Sequence, residues 1–218
     1  MAMVWLLALL MAAAGPAHAA DASEIKVGHF SASDLAGWEE KVFKGHTRYE
    51  LVQAQGRVVL RAEAQASASA LIRTLRLDLR RYPRLRWSWK IEGILPQGDE
   101  RGKAGDDYAA RVYVVFPSAL FWRVRAINYI WANRLPQGQH LPNAFSANAV
   151  MLAVRSGPEQ AGQWLSEERD VLEDYRRLFG GEPPEMGAVA VMTDADNTGG
   201  RAVAYYGDIS LAARGLAE

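Results

Sequence analysis

Lys103-Ala-Gly-Asp-Asp-Tyr-Ala-Ala-Arg-Val-Tyr-Val-Val-Phe-Pro117 decides the fold class of this 218-residue chain. From Tyr108 to Phe116 the residues are small, β-branched or aromatic, with Arg111 the one charge, which is the composition of a strand in the middle of a sheet. Pro117 ends the run because it has no N–H to give to a ladder. The Gly-Asp-Asp turn before it places two carboxylates at the mouth of that strand, so the same stretch sets both the fold and the first candidate site.

Working outward, the upstream chain alternates. Leu75, Leu77 and Leu79 share one face against Arg76, Asp78 and Arg80, and after Tyr82-Pro83 the pattern returns with Leu85, Trp87, Trp89 and Ile91 against Arg86, Ser88 and Lys90. One apolar face per strand predicts a sandwich layer rather than a doubly covered parallel sheet. Residues 25–30 predict a short first strand, and 46–53 with 57–63 predict a hairpin about Gln55-Gly56. The small-residue run 64–70 reads as a connector, and residues 94–105 as a long polar loop delivering Asp106 and Asp107.

Downstream, two helices are predicted. Residues 118–134 space Leu120, Val124, Ile127 and Trp131 along one face, and residues 166–179 carry Ser166 as a cap, acids in the first turn and Arg176 and Arg177 in the last. Gly180 and Pro183 stop the second helix. Residues 147–155, 187–192 and 201–211 complete the strands, with Thr193-Asp-Ala-Asp-Asn-Thr-Gly-Gly200 as a turn between the last two. The expected fold is mainly β, an antiparallel jelly-roll-like β-sandwich with two inserted α-helices.

Composition narrows the function classes. Lys plus Arg and Asp plus Glu both number 25, so bulk charge attracts neither nucleic acid nor an anionic membrane. With no cysteine there is no disulfide, thiolate metal site or Cys nucleophile. The first 19 residues are uncharged, with an apolar run from Val4 to Ala14 and then Ala17-His18-Ala19. That pattern predicts a signal peptide at 1–19, no stable membrane span after its cleavage, and residues 20–218 as a single domain in the periplasm or outside the cell.

Candidate chemistry gathers in two acidic turns. Asp106 and Asp107 could act as general acid and base on a polysaccharide, bond sugar hydroxyls beside Arg111, or simply cap their turn. Asp194, Asp196 and Asn197 offer oxygens at alternate positions, as a hard cation wants, but the closing glutamate of a helical calcium loop would fall on Tyr205; bonding the turn's own backbone is the competing reading. Structural calcium stays open and no other cofactor is expected. Asn128 and Tyr129, with Trp131, Tyr205 and Tyr206, are side chains of the kind that stack on or bond sugars, and that also fill cores. His29, His46 and His140 are isolated, and neither a nucleophile elbow nor a phosphate-cradling glycine loop occurs.

Leu85-Arg-Trp-Ser-Trp-Lys90, Gly105-Asp-Asp-Tyr-Ala-Ala-Arg-Val-Tyr-Val-Val-Phe116, Asn128-Tyr129, Asp174-Tyr-Arg-Arg-Leu-Phe179 and Thr193-Asp-Ala-Asp-Asn-Thr198 with Tyr206-Gly-Asp-Ile209 resemble the bacterial domain-of-unknown-function family 3047. The resemblance implies an exported bacterial protein and no activity. The last run, Tyr205-Tyr-Gly-Asp-Ile-Ser-Leu211, is similar to the final strand of jelly-roll carbohydrate-binding modules, which would make Asp208 the position matching a structural-calcium acid. The function expected is binding of a carbohydrate or envelope glycan through Asp106, Asp107, Arg111, Asn128, Tyr129, Asp194, Asp196 and Asn197. The alternatives are a polysaccharide hydrolase or lyase using the same acids, and an envelope protein-interaction module presenting residues 118–134.

Overall fold

A computed structural model describes residues 23–214, and the leader expected at 1–19 lies outside them. Two seven-stranded sheets pack face to face. The first orders β1 (Glu24–Gly28), β14 (Ile209–Ala212), β6 (Arg84–Ile91), β13 (Arg201–Tyr206), β4 (Arg57–Gln65) and β3 (Arg48–Ala54), with β11 (Leu165–Asp170) also pairing β6. The second orders β2 (Trp38–Lys44), β5 (Ala68–Leu77), β12 (Met186–Asp194), β7 (Arg111–Phe116), β8 (Arg125–Ala132), β10 (Ser146–Ser156) and β9 (His140–Asn143). The pairing is antiparallel except between β8 and β10, which run parallel.

The opening stretch takes its expected place, since β7 lies between β12 and β8 with all six residues buried. Its ladder starts at Arg111 rather than Tyr108. Residues 108–110 are buried but irregular, and they turn their backbone toward β8 and β12, with Trp131 N–H donating to Ala110 O at 3.0 Å. Both alternating runs face the core as expected. They lie in opposite layers, however: Trp87 of β6 meets Tyr129 of β8 with ring centroids 5.4 Å apart, and Trp89 meets Trp131 at 5.9 Å. Tilted aromatic pairs of this kind pack the two sheets against each other.

Three expectations are corrected. Residues 118–134 are not a helix: a short 3-10 turn at Phe121–Arg123 leads into β8. The segment is apolar at every position from Ala126 to Ala132 except Asn128, and a strand buried on both faces has no polar stripe to separate a two-residue period from a helical one. The second predicted helix begins five residues late. Residues 165–170 form β11, where Glu168 pairs with Arg84 and Arg86 of β6, and only Val171–Phe179 is helical, as α1. Its cap is Asp170, whose carboxylate accepts the Glu173 N–H at 3.0 Å, and Gly180 ends it at a φ of 70°. Among the described residues the fold therefore carries one α-helix rather than the two expected. Finally, the 64–70 connector shrinks to Ala66-Ser67, because β4 continues to Gln65 and β5 starts at Ala68.

The outer face of the second sheet decides where a site can lie. Tyr113, Val115, Ala188, Ala190 and Met192 form a second buried cluster there, closed by Val124 and flanked by Phe43 and Ile72. Small residues along β5 and β12, Ala68, Ala70, Ala188 and Ala190, make a low stripe on this face, a trough that is itself buried. Arg111 and Asn128 stand at its floor, because they alternate with the inward-facing Val112, Ile127 and Tyr129.

Candidate functional site

Two loops meet above the start of β7 and the end of β12. In residues 106–110 the Asp106 carboxylate accepts from Tyr108 Oη and from Asn143 Nδ2, each at 3.0 Å. Asp107 points the other way, into the turn after β12, where it accepts the Thr198 N–H at 2.6 Å and the Asn197 N–H and Nδ2 at 3.1 Å each. Asp194 accepts the Tyr108 N–H at 3.2 Å and forms a buried ion pair with Arg111 Nη2. Thr193 Oγ1 donates to Ala109 O at 2.8 Å, and Tyr206 Oη donates to Met192 O at 2.8 Å. Each acid thus bonds backbone or side chains of a segment remote in sequence, which fixes two loops that have no ladder of their own.

Arg111 is the centre of this network and is 1% exposed. Its guanidinium lies 4.6 Å from the Tyr108 ring centroid and 5.6 Å from that of Tyr113, within cation–π range. Asp194 holds the arginine charged. Burial pushes the carboxyls of Asp106 and Asp194 above their ordinary value, against the pull of Arg111, and burial with the nearby Asp107 does the same to Asp196. Burial is the leading cause at all three acids; several carboxylates share the single guanidinium of Arg111, whose pull opposes burial without overcoming it.

The bonding is nevertheless incomplete. Arg111 Nε and Nη1 and Asn128 Oδ1 are shielded from solvent and have no hydrogen-bond partner among the described residues. Arg111 pairs across the ladder with Ile130, and Tyr113 with Asn128, so Arg111 and Asn128 are diagonal neighbours on one sheet face. Two donors and one acceptor left open on one buried sheet face would be costly without a partner.

Of the eight sequence-predicted residues, Asp106, Asp107, Arg111, Asp194, Asp196 and Asn197 come together, and Asn128 lies next to them along the same face. Tyr129 does not. As the neighbour of Asn128 on a strand it faces the opposite way, into the inter-sheet core, where its hydroxyl donates to Asp174 at 3.0 Å. Sequence reasoning missed Asn143, the partner of Asp106, and Glu100, which is buried and accepts the N–H groups of Asn133 at 2.5 Å and Leu135 at 3.0 Å. Glu100 pins the loop that carries Asp106. The signal was an Asp99-Glu100 pair in a glycine-rich loop, and nothing in its local pattern named a distant partner.

Carboxylate oxygens of Asp107, Asp194 and Asp196 lie within 4.8 Å of one another, a spacing that suits a hard cation. Their bonding does not. Asp107 is saturated by the turn, Asp194 by Arg111 and the Tyr108 N–H, and Asp196 accepts from Asn197 Nδ2 at 3.2 Å with Lys44 Nζ at 3.8 Å. A buried guanidinium already sits where a cation's charge would go. Asp208 is also engaged, accepting the Ser31 N–H at 2.8 Å and Oγ at 2.6 Å.

The architecture is that of the β-sandwich carbohydrate-binding modules. The family 30 module of a cellulosomal cellulase from Clostridium thermocellum superposes with a TM-score of 0.53 at 9% identity, over 88% of this chain and 99% of that one. The family 11 module of another cellulosomal cellulase of that organism gives 0.49 at 11% identity, over 88% and 95%. An adhesin domain of Lys-gingipain from Porphyromonas gingivalis gives 0.45 at 13%, over 89% and 100%. By sequence, residues 36–210 match the family described as proteins of unknown function, DUF3047, and the chain belongs to that family. A search of curated proteins finds no match to the sequence. Among the described residues no helix is long and apolar enough to cross a membrane.

Proposed function

We propose that this protein is an exported glycan-binding module whose ligand enters the trough on the outer face of the second sheet. The observation that carries this reading is the pair of buried, diagonally adjacent side chains with open hydrogen-bonding atoms, Arg111 and Asn128. A sugar hydroxyl is both donor and acceptor, so it can take a hydrogen bond from the guanidinium while giving one to the amide oxygen. Asp196 and Asn197, the members of the cluster that reach the surface, form the rim that orients further hydroxyls. The fold shared with carbohydrate-binding modules supports the reading by analogy only, since one fold hosts many functions.

Affinity electrophoresis through a panel of soluble polysaccharides and envelope glycans, with calcium or with chelator, tests it. Retardation by at least one glycan is expected, weakened about tenfold in Asn128→Ala, the worth of one or two hydrogen bonds. Retardation of the wild type by none of the panel, or equal retardation of Asn128→Ala, overturns the reading. Reducing ends released over time would turn it into a polysaccharide-cleaving one.

A further inference from the structure

The far end of the β7–β8 hairpin carries a pocket of a different chemistry. Its volume is about 570 Å³, and its walls include Pro117, Ser118, Arg123, Arg125, Asn148 and Tyr175. No Asp or Glu lines it among the described residues. In a chain whose charges balance, and on a surface where the described arginines are largely paired with acids, two arginines in one acid-free pocket stand out.

Arg125 is also held in place. Its Nη1 donates to Tyr175 Oη at 2.9 Å, and its guanidinium lies 5.1 Å from the Phe179 ring centroid and 5.8 Å from that of Tyr175. Aromatic contacts fix the orientation of a guanidinium without cancelling its charge, and leave most of its N–H groups to face the pocket. Arg123, on the 3-10 turn before β8, is exposed and has no carboxylate within ion-pair distance among the described residues. The geometry points to a second binding site, selective for a sugar ring that bears a carboxylate or a phosphate. The anion lies between Arg123 and Arg125, as planar guanidinium forks recognise such groups. The pocket's size suits a ligand of one or two rings, Pro117 offers an apolar wall, and Asn148 and Ser118 offer hydroxyl partners.

Isothermal titration of the whole protein with galacturonate and trigalacturonate, with galactose and galactotriose as neutral counterparts, and with galactose 6-phosphate, tests this. An acidic sugar is expected to bind where its neutral counterpart does not, more weakly as salt rises. Arg123→Gln should cut that affinity at least about tenfold with an unchanged melting curve, since this side chain makes no stabilising contact. Arg125→Gln should cut it as well, while Asn128→Ala leaves it intact. Preference for the phosphate over the uronates would identify the source of the anion. Equal binding of acidic and neutral sugars, or of wild type and Arg123→Gln, would sink the proposal. So would acidic-sugar binding that is lost in Asn128→Ala but kept in Arg123→Gln, because it would place the acid in the trough. Neutral glycans that bind through Asn128, with no response to uronates or phosphates, would leave the trough standing and this pocket refuted.

Discussion

The two ends of the β7–β8 hairpin treat arginine in opposite ways. At one end Arg111 is fully enclosed, paired with Asp194 and flanked by two tyrosine rings; at the other Arg125 is half-buried, oriented by Tyr175 and Phe179, and faces no acid. Opposite residues of a single antiparallel ladder separate them, Arg111 across from Ile130 and Arg125 across from Phe116. A charge that has been desolvated needs its counter-ion in order for the protein to fold, whereas a charge left wet is free to select a ligand. The first end is therefore an anchor, and the second holds a charge with no acid facing it, where the proposed acidic ligand would sit.

Removing the counter-ion should give the largest effect. Asp194→Ala strands a guanidinium in the interior and is expected to cost about 3–5 kcal/mol, lowering the melting temperature by roughly 10 °C. Thermal unfolding checks this, and a loss of only a degree or two would erase the contrast between the two ends. Asp107→Ala should come next, at about 2 kcal/mol in denaturant unfolding, because it orphans the N–H groups of Asn197 and Thr198. An unchanged unfolding curve with weakened glycan retardation would instead make Asp107 a ligand group.

The smallest expected effect is that of pH. Burial raises the Asp106 carboxyl above its ordinary 3.8, so the folded state binds its proton more tightly than the unfolded state. That contribution to stability is complete below 3.8 and is lost as pH rises through the folded value. Asp99 works in reverse: hydrogen bonding from Arg101 holds it at about 2, so its contribution is present above 3.8 and lost as pH falls toward 2. Melting temperatures followed from neutral pH to about pH 4 should rise less in Asp106→Asn than in the wild type. Identical slopes would show that the cluster's surplus charge resides on another carboxylate.

Much of this fold was legible because each informative strand has one wet face. Leu85, Trp87, Trp89 and Ile91 alternate with Arg86, Ser88 and Lys90, and that period admits no helix. Legibility failed where the wet face disappeared. In β8 the residues on both faces are buried, so Ala126 to Ala132 carries no polar stripe, only the single Asn128, and a run of large apolar residues can be fitted to a helix as easily as to a strand. It failed for the opposite reason in β11, where Glu167 and Glu168 look like helix-start acids but answer arginines on other strands. The acids of the site were visible as types. Their partners were not, because Asn197, Tyr206 and Asn143 are remote from Asp107, Arg111 and Asp106 in sequence, and only the sheet order brings them together.

The position of β6 in the first sheet has a consequence for the order of folding. It pairs with β13 and β14, so both of its path neighbours come from residues 201–212, and β1 in turn closes on β14. By the time β13 and β14 are made, the strands of the second sheet have all been synthesised, and until then β11 is the one partner available to β6 among the described strands. The edge of β6 opposite β11 must wait for the last segment, so closure of the first sheet rests on contacts far apart in sequence, the kind that slow folding.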